Sequence, residues 1–271
     1  VGLPVINEEL AKRIVDSETD YFTSRISSIG ERSGNPEGVE VRQLGNTTAF
    51  YIKKMPWGLF NSVKGFSQDD IDKLEAVTTF YRERNRAFQL DINPIGINLK
   101  MLRQLTEKGL FQDSFHSVLY GLPRCELPKL PSNIKIRQID TEADFDLFAG
   151  IHCIGSGMDI VHKHHFVNNN IGLLNRPGWK LFLALWDDVP AAVAVMHISN
   201  NIASFTLAAT APAFRRKGLQ TSLLLWRMYE AYKSNSELVV AQASFGSSSQ
   251  NNMERVGMQI AWTRSVWLPI N

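Results

Sequence analysis

Two hairpins, turning at Gly45-Asn46 and at Asn200-Asn201, are each followed by the same succession of helix, strand, helix and strand. That recurrence limits the fold more than any other feature, because a chain that repeats an element order builds one unit twice. After a helix marked by Leu10, Ile14, Tyr21 and Phe22, with Asn7 as its cap, residues 39–44 and 47–53 read as the first paired strands. Ser67-Gln68-Asp69-Asp70 opens a helix that Ile71, Leu74, Val77 and Tyr81 carry onward. Residues 87–92 read as a strand stopped by Pro94, 98–108 as a helix closed by Gly109, and 115–120 as a strand. In the second half the hairpin strands are 191–199 and 202–210. A helix then opens at Leu219, with Leu223, Trp226 and Tyr229 on one side, before a strand at 238–241 and a helix through 252–256. Even the closing spacing recurs, with Leu105-x-x-x-Gly109-Leu110 against Met253-x-x-x-Gly257-Met258. We read a mixed α/β chain of two similar domains, 1–122 and 133–271, joined by a linker over 123–132 that holds Pro123, Pro128 and Pro131.

The 29 Lys and Arg residues stand against 27 Asp and Glu, for a formal charge of +2. That is too little for the concentrated basic face of a nucleic-acid binder. The longest apolar runs, 181–186 and 190–196, have the length of strands and fall short of a membrane span. Asn7, Glu8 and Glu9 break any secretory-leader pattern, and Cys125 and Cys153 cannot make a disulfide framework. The expectation is a cytoplasmic protein with neither nucleic-acid nor membrane partners. His162-Lys163-His164-His165 offers adjacent imidazoles without a cysteine or clear carboxylate partner, which is poor ligand geometry, so no metal is expected. Trp57, Asn61 and Trp179 read either as core and turn residues or as walls of a substrate cleft, with core favoured for both tryptophans.

Chemistry concentrates in Ala208-Ala209-Thr210-Ala211-Pro212-Ala213-Phe214-Arg215-Arg216-Lys217-Gly218-Leu219-Gln220-Thr221. A strand of small residues ends there, three cations and a glycine follow, and a helix begins. The helix start offers unpaired N–H groups and partial positive charge, and Gly218 lets an anion approach the main chain. In this order of parts the chain resembles the GNAT superfamily of acyl-CoA-dependent N-acetyltransferases. The family loop, Arg/Gln-x-x-Gly-x-Gly/Ala, is matched by Arg215-Arg216-Lys217-Gly218-Leu219-Gln220 except at its sixth position. The family's frequent tyrosine before the closing glycine falls at Met253, and its asparagine earlier in that helix falls at Ser247.

The resemblance implies two tandem GNAT-like lobes built on mixed sheet. The first is degenerate, since residues 55–65 stand where the cations belong. It implies acetyl-CoA, or a related acyl-CoA, as co-substrate, and direct attack by an amine of a small molecule or peptide in a ternary complex. Arg215, Arg216, Lys217, Gly218, Leu219, Gln220 and Thr221 would hold the diphosphate. Ala208, Ala209 and Thr210 would run beside the pantetheine, with one N–H polarising the thioester carbonyl. Ser247 or Asn252 would add a hydrogen bond near the arm.

An amine with a pKa of about 10.4 must lose its proton before it attacks. Relatives often carry a glutamate on the strand before the loop, but 202–210 has no acidic residue, and the thioether of Met253 cannot protonate a leaving thiolate. His152 and Asp159, in the segment the resemblance gives to substrate binding, are the remaining catalytic candidates. The same absences suit a CoA-binding module without turnover, and a scaffold that binds no CoA stays open beside it.

Overall fold

The computed structural model describes residues 2–270. In chain order its elements are α1 (Glu8–Gly30), β1 (Val39–Leu44), β2 (Thr47–Ile52), β3 (Ser62–Lys64), α2 (Leu74–Arg82), β4 (Gln89–Ile92), α3 (Leu99–Glu107) and β5 (Leu110–Gly121). There follow β6 (Ile134–Ile139), α4 (Glu142–Gly155), α5 (Lys163–Asn170), β7 (Trp179–Trp186), β8 (Val189–Ser199), β9 (Ile202–Thr210), α6 (Leu219–Lys233), β10 (Leu238–Ser244), α7 (Ser248–Arg255) and β11 (Gln259–Pro269). No described helix is long and apolar enough to cross a membrane. The chain divides into a first unit, Pro4–Val118 with the chain from Ala261 onward, and a second unit centred on Leu119–Ile260.

In the first unit β1 and β2 pair antiparallel across Gly45-Asn46, β2 and β3 pair antiparallel, and β3 runs parallel to β4. In the second, β7, β8 and β9 are successive antiparallel neighbours, and β9 runs parallel to β10. The repeat is therefore present in the pairing pattern, but its register differs from the expected one. The first hairpin corresponds to β7 and β8, because β3 supplies the counterpart of β9. With only Ser62–Lys64 in strand form, β3 is too short to announce itself by alternation. The counterpart of the basic loop is consequently the turn from Gly65 to Asp70, not residues 55–65, and its charged residues are Asp69 and Asp70.

Caps fall where expected. Asn7 Oδ1 accepts from the Leu10 N–H at 2.8 Å, and the structure adds a cap at a position the sequence reading puts inside a helix, Asn98 Oδ1 accepting from the Met101 N–H at 2.9 Å. Gly109 and Gly257 both take positive φ after their helices, +76° and +94°. Asn200 and Asn201 turn their hairpin with φ of +48° and +60°, as a tight two-residue turn demands. The helix expected from Ser67 begins as a 3-10 stretch, Gln68–Lys73, before α2. Trp179 is buried, as expected, whereas Trp57 is 50% exposed and leans on Phe60, which corrects its placement in the core. Asn61 is a buried turn residue, its amide donating to the carbonyls of Met55 (2.7 Å) and Trp57 (2.9 Å).

The domain boundary also differs from the expected 133–271. β11 pairs antiparallel with β4 of the first unit, Val266 opposite Asp91, and Trp267 joins that unit's core beside Tyr81, Phe80 and Phe88. A buried charge cluster fixes the strand further. Lys64 Nζ donates to Glu18 at 2.8 Å and Asp91 at 2.6 Å, Arg264 Nη1 bonds Glu18, and its distance to Asp91 is 3.4 Å. Each of the four residues is less than a tenth exposed. Burial by itself would raise the Glu18 and Asp91 carboxyls, but the Arg264 and Lys64 charges outweigh it and hold both below the usual carboxylate range. Burial likewise opposes the Lys64 charge, and Asp91 and Glu18 override it and raise the ammonium.

Carboxyls depressed in the folded state add stability that is complete above their unfolded values, about pH 4, and is lost as pH falls through the folded values. The raised Lys64 adds stability that is complete below about pH 10 and is lost above its folded value. Asp91→Asn, which strands buried cations, is expected to cost about 3–5 kcal/mol in urea unfolding and to weaken the acid limb of the stability profile. Unchanged stability and an unchanged acid limb would assign the cluster no role in holding β11.

Candidate functional site

The site grows from two departures from regular sheet in the second unit. β9 and β10 pair from Ile202 opposite Leu238 only as far as Phe205 opposite Ala241, although β9 continues to Thr210 and β10 to Ser244. Just beyond that point β9 carries a bulge. Thr206 faces Val195 and Ala209 faces Val193, so Leu207 and Ala208 together oppose Ala194. Leu207 has φ of +47°, a left-handed conformation that costs a branched side chain about 1–2 kcal/mol. Past the bulge, the β10-facing edge of β9 is released from the parallel ladder.

At the end of β9 the chain passes Pro212–Phe214 and enters α6 through Gly218, whose φ is +81° and which supplies no side-chain cap. Ser222 N–H is bonded to the Gly218 carbonyl at 2.9 Å, so helix geometry leaves the N–H groups of Leu219, Gln220 and Thr221 without intrahelical acceptors. A Cβ at Gly218 would meet nothing within 4 Å, so the glycine serves the left-handed turn and leaves the helix end open.

These features border a cleft of about 570 Å³, walled by Gly155, Ala208, Ala209, Thr210, Phe214, Arg215, Arg216, Gly218, Leu219, Gln220, Thr221, Ser248, Ser249, Asn252 and Arg255. No acidic side chain lines it among the described residues, and three arginines do. They differ in freedom. Arg215 donates to the carbonyls of Gly155 (3.0 Å) and Thr210 (3.4 Å), tying the end of α4 to the end of β9. Arg255 donates to Asn252 Oδ1 at 3.0 Å. Arg216, with φ of +60°, has no protein partner among the described residues. Gly155 is required by contact, since a Cβ there would lie 2.8 Å from Ala209 Cβ and 3.1 Å from the Thr210 carbonyl oxygen.

A second cavity of about 330 Å³ continues from the first, sharing Ala208, Gln220 and Ser249. It fills the gap where β9 and β10 part, between Phe205, Thr206 and Leu207 on one strand and Gln242, Ala243 and Ser244 on the other. Arg227, Ser247 and Met253 complete its wall.

Of the residues expected at the cofactor site, Ala208, Ala209, Thr210, Arg215, Arg216, Gly218, Leu219, Gln220, Thr221 and Asn252 line the cleft together. Lys217 does not, because its ammonium lies over the rings of Trp186 (4.8 Å) and Phe214 (5.2 Å). Ser247 caps α7, accepting from the Gln250 N–H at 3.2 Å, and lines the second cavity instead. The two catalytic candidates line neither cavity. His152 is buried on α4 with its ring edge-on to Phe148 and Phe166, and Asp159 caps a short 3-10 turn by accepting from the Val161 N–H at 3.0 Å. Gly155, Arg255 and Arg227 escaped sequence reasoning. The first two belong to helix ends distant in sequence, and the third lies on the buried face of α6 with Leu223, Leu224 and Met228, whereas the apolar spacing pointed to Trp226 and Tyr229, which are half-buried.

No protein-family model matches this chain, and no curated protein matches it in sequence. Solved structures do match in fold. A GCN5-related N-acetyltransferase from Kribbella flavida superposes with a TM-score of 0.67 at 14% identity, over 93% of this chain and 95% of that one. A tandem GNAT protein from the clavulanic acid biosynthesis pathway gives 0.62 at 11% identity, over 94% and 95%. A GCN5-related N-acetyltransferase from Sphaerobacter thermophilus gives 0.56 at 12% identity, over 84% and 81%. Likeness at such identity carries the fold alone, and it covers both halves of the chain. The protein has the GNAT fold in tandem form.

Proposed function

We propose that the second unit is an N-acyltransferase that binds an acyl-CoA in the cleft and transfers the acyl group to an amine. The observation that carries this reading is the continuity between an uncapped helix N-terminus beside an unpaired arginine and a cavity opened by the parting of β9 and β10. The diphosphate sits at the N–H groups of Leu219, Gln220 and Thr221, with Arg216 as the unpaired cation and Arg215 as part of the wall. The distal part of an extended pantetheine arm lies along the released edge of β9 from Thr210 to the Leu207–Ala208 bulge, about 10 Å of strand. A backbone N–H near the Leu207–Ala208 bulge polarises the thioester carbonyl.

The amine nitrogen attacks the thioester carbon, a C–N bond forms, the C–S bond breaks, and the departing thiolate takes a proton as the ammonium gives one up. Among the described residues lining both cavities there is no carboxylate, imidazole, phenol or thiol. Water therefore carries these protons, and the amine enters the chemistry already neutral. The first unit, with Asp69 and Asp70 in the equivalent turn, does not receive a diphosphate.

Calorimetric titration of acetyl-CoA tests the site. Arg216→Ala is expected to weaken binding about tenfold or more, and Gly218→Asp to abolish it by placing a carboxylate at a left-handed helix cap. Binding unaffected by both changes would move the cofactor elsewhere. Gly155→Val is expected to weaken binding as well, with a fall in Tm, because the new side chain forces α4 away from Ala209 and Thr210. With a reactive amine acceptor, log kcat/KM is expected to rise with a slope of about one per pH unit up to the pKa of the amine itself. A plateau beginning near pH 6–7 would instead reveal a titrating protein base.

A further inference from the structure

The second cavity holds a feature that an acetyl group does not need. Arg227, two turns into α6, is 1% exposed, yet it lines the cavity where the strands part. Its Nε donates to the Leu223 carbonyl at 3.2 Å, its Nη1 to the Val195 carbonyl at 3.0 Å, and its guanidinium carbon lies 4.5 Å from the centroid of the Phe205 ring. The two carbonyls take two of the fork's five donors, and the ring takes none, so the charge is left without a counterion. No carboxylate pairs with it and no acidic residue shares the cavity among the described residues. Burial with no neighbouring charge to oppose it pushes the guanidinium down to about 9. A buried cation is ordinarily paired, because removing it from water otherwise costs several kcal/mol. The polar lining that this cavity does not share with the cleft, Thr206, Gln242, Ser244 and Ser247, is likewise more than a methyl group requires.

We propose that Arg227 receives the terminal carboxylate of a dicarboxylic acyl group, so that the donor bound here is a short dicarboxylic acyl-CoA, of malonyl or succinyl length, in preference to acetyl-CoA. This rests on the acyl-CoA reading of the cleft, which places the thioester near the Leu207–Ala208 bulge and the acyl chain beyond it, in the cavity that Arg227 lines. Planar guanidinium and carboxylate match in a two-bond fork, and the pairing supplies the missing countercharge only when the ligand is present. The transferred group then leaves a free carboxylate on the former amine, exchanging a positive charge on the acceptor for a negative one.

The test is calorimetric comparison of matched donors, succinyl-CoA with pentanoyl-CoA and malonyl-CoA with butyryl-CoA, together with free CoA, on the wild-type chain. One dicarboxylic donor is expected to bind roughly tenfold or more tightly than its neutral counterpart. Arg227→Met is expected to erase that ratio while free CoA still binds, and Arg227→Lys to retain part of it. A merely structural arginine would move all donors together and leave the ratio unchanged. Equal binding within both pairs, with CoA bound, overturns this proposal and leaves the acyl-CoA reading intact. Failure of every CoA compound to bind overturns both. Should Arg227→Met not fold, the wild-type ratios decide the question by themselves.

Discussion

Everything attributed to the second unit depends on one break in backbone pairing, the release of β9 from β10 after Phe205 and Ala241. A parallel ladder carried on to Thr210 would bury its own polar groups against a neighbour and leave no room for a ligand. The break happens beside a bulge, and the bulge demands a left-handed Leu207, so strain is stored where a ligand would collect it. The surrounding pieces hold that geometry in place. Gly155 lets α4 press within van der Waals distance of Ala209, and Arg215 ties the carbonyls of Gly155 and Thr210. Arg227 takes the Val195 carbonyl on the other side of the bulge.

The first unit repeats the strand pairing and diverges in chemistry. Its turn after β3 carries aspartates, and a Cβ at Gly65 there would lie 2.7 Å from the Asn46 carbonyl oxygen, whereas one at Gly218 would meet open space. One turn is closed by protein and the other left for something else. The stabilising effort of the first unit goes instead into four buried charges that bind β4, β3, α1 and the last strand together. The pairing is strong because both carboxylates and both cations are satisfied by one another away from water.

Much of this was legible in the residues, and the failures have specific causes. Asn-Asn and Gly-Asn turns, the Asn7 cap and the αL glycines were readable because each is a local backbone requirement. The anion-binding end of α6 was readable for the same reason, as small residues, cations and a glycine in sequence. The register of the repeat was not, because β3 has too few residues to show a period. Nor was the exchange of β11 to the first unit, which follows from Arg264 and Trp267 finding partners more than a hundred residues away. Arg227 was hidden by the rule that arginine belongs on the surface, and Lys217 was credited to the cleft because sequence spacing cannot show a side chain folding back onto Trp186.

On the acyl-CoA reading, the freed edge of β9 and the open end of α6 form one ligand site. Amide hydrogen exchange with and without CoA reads this out at the backbone N–H groups that would hold the ligand. Protection confined to residues 206–221 and 247–255, with the 65–70 turn of the first unit unchanged, is the predicted result. Protection at 65–70, or none at 206–221 under saturating CoA, would contradict it.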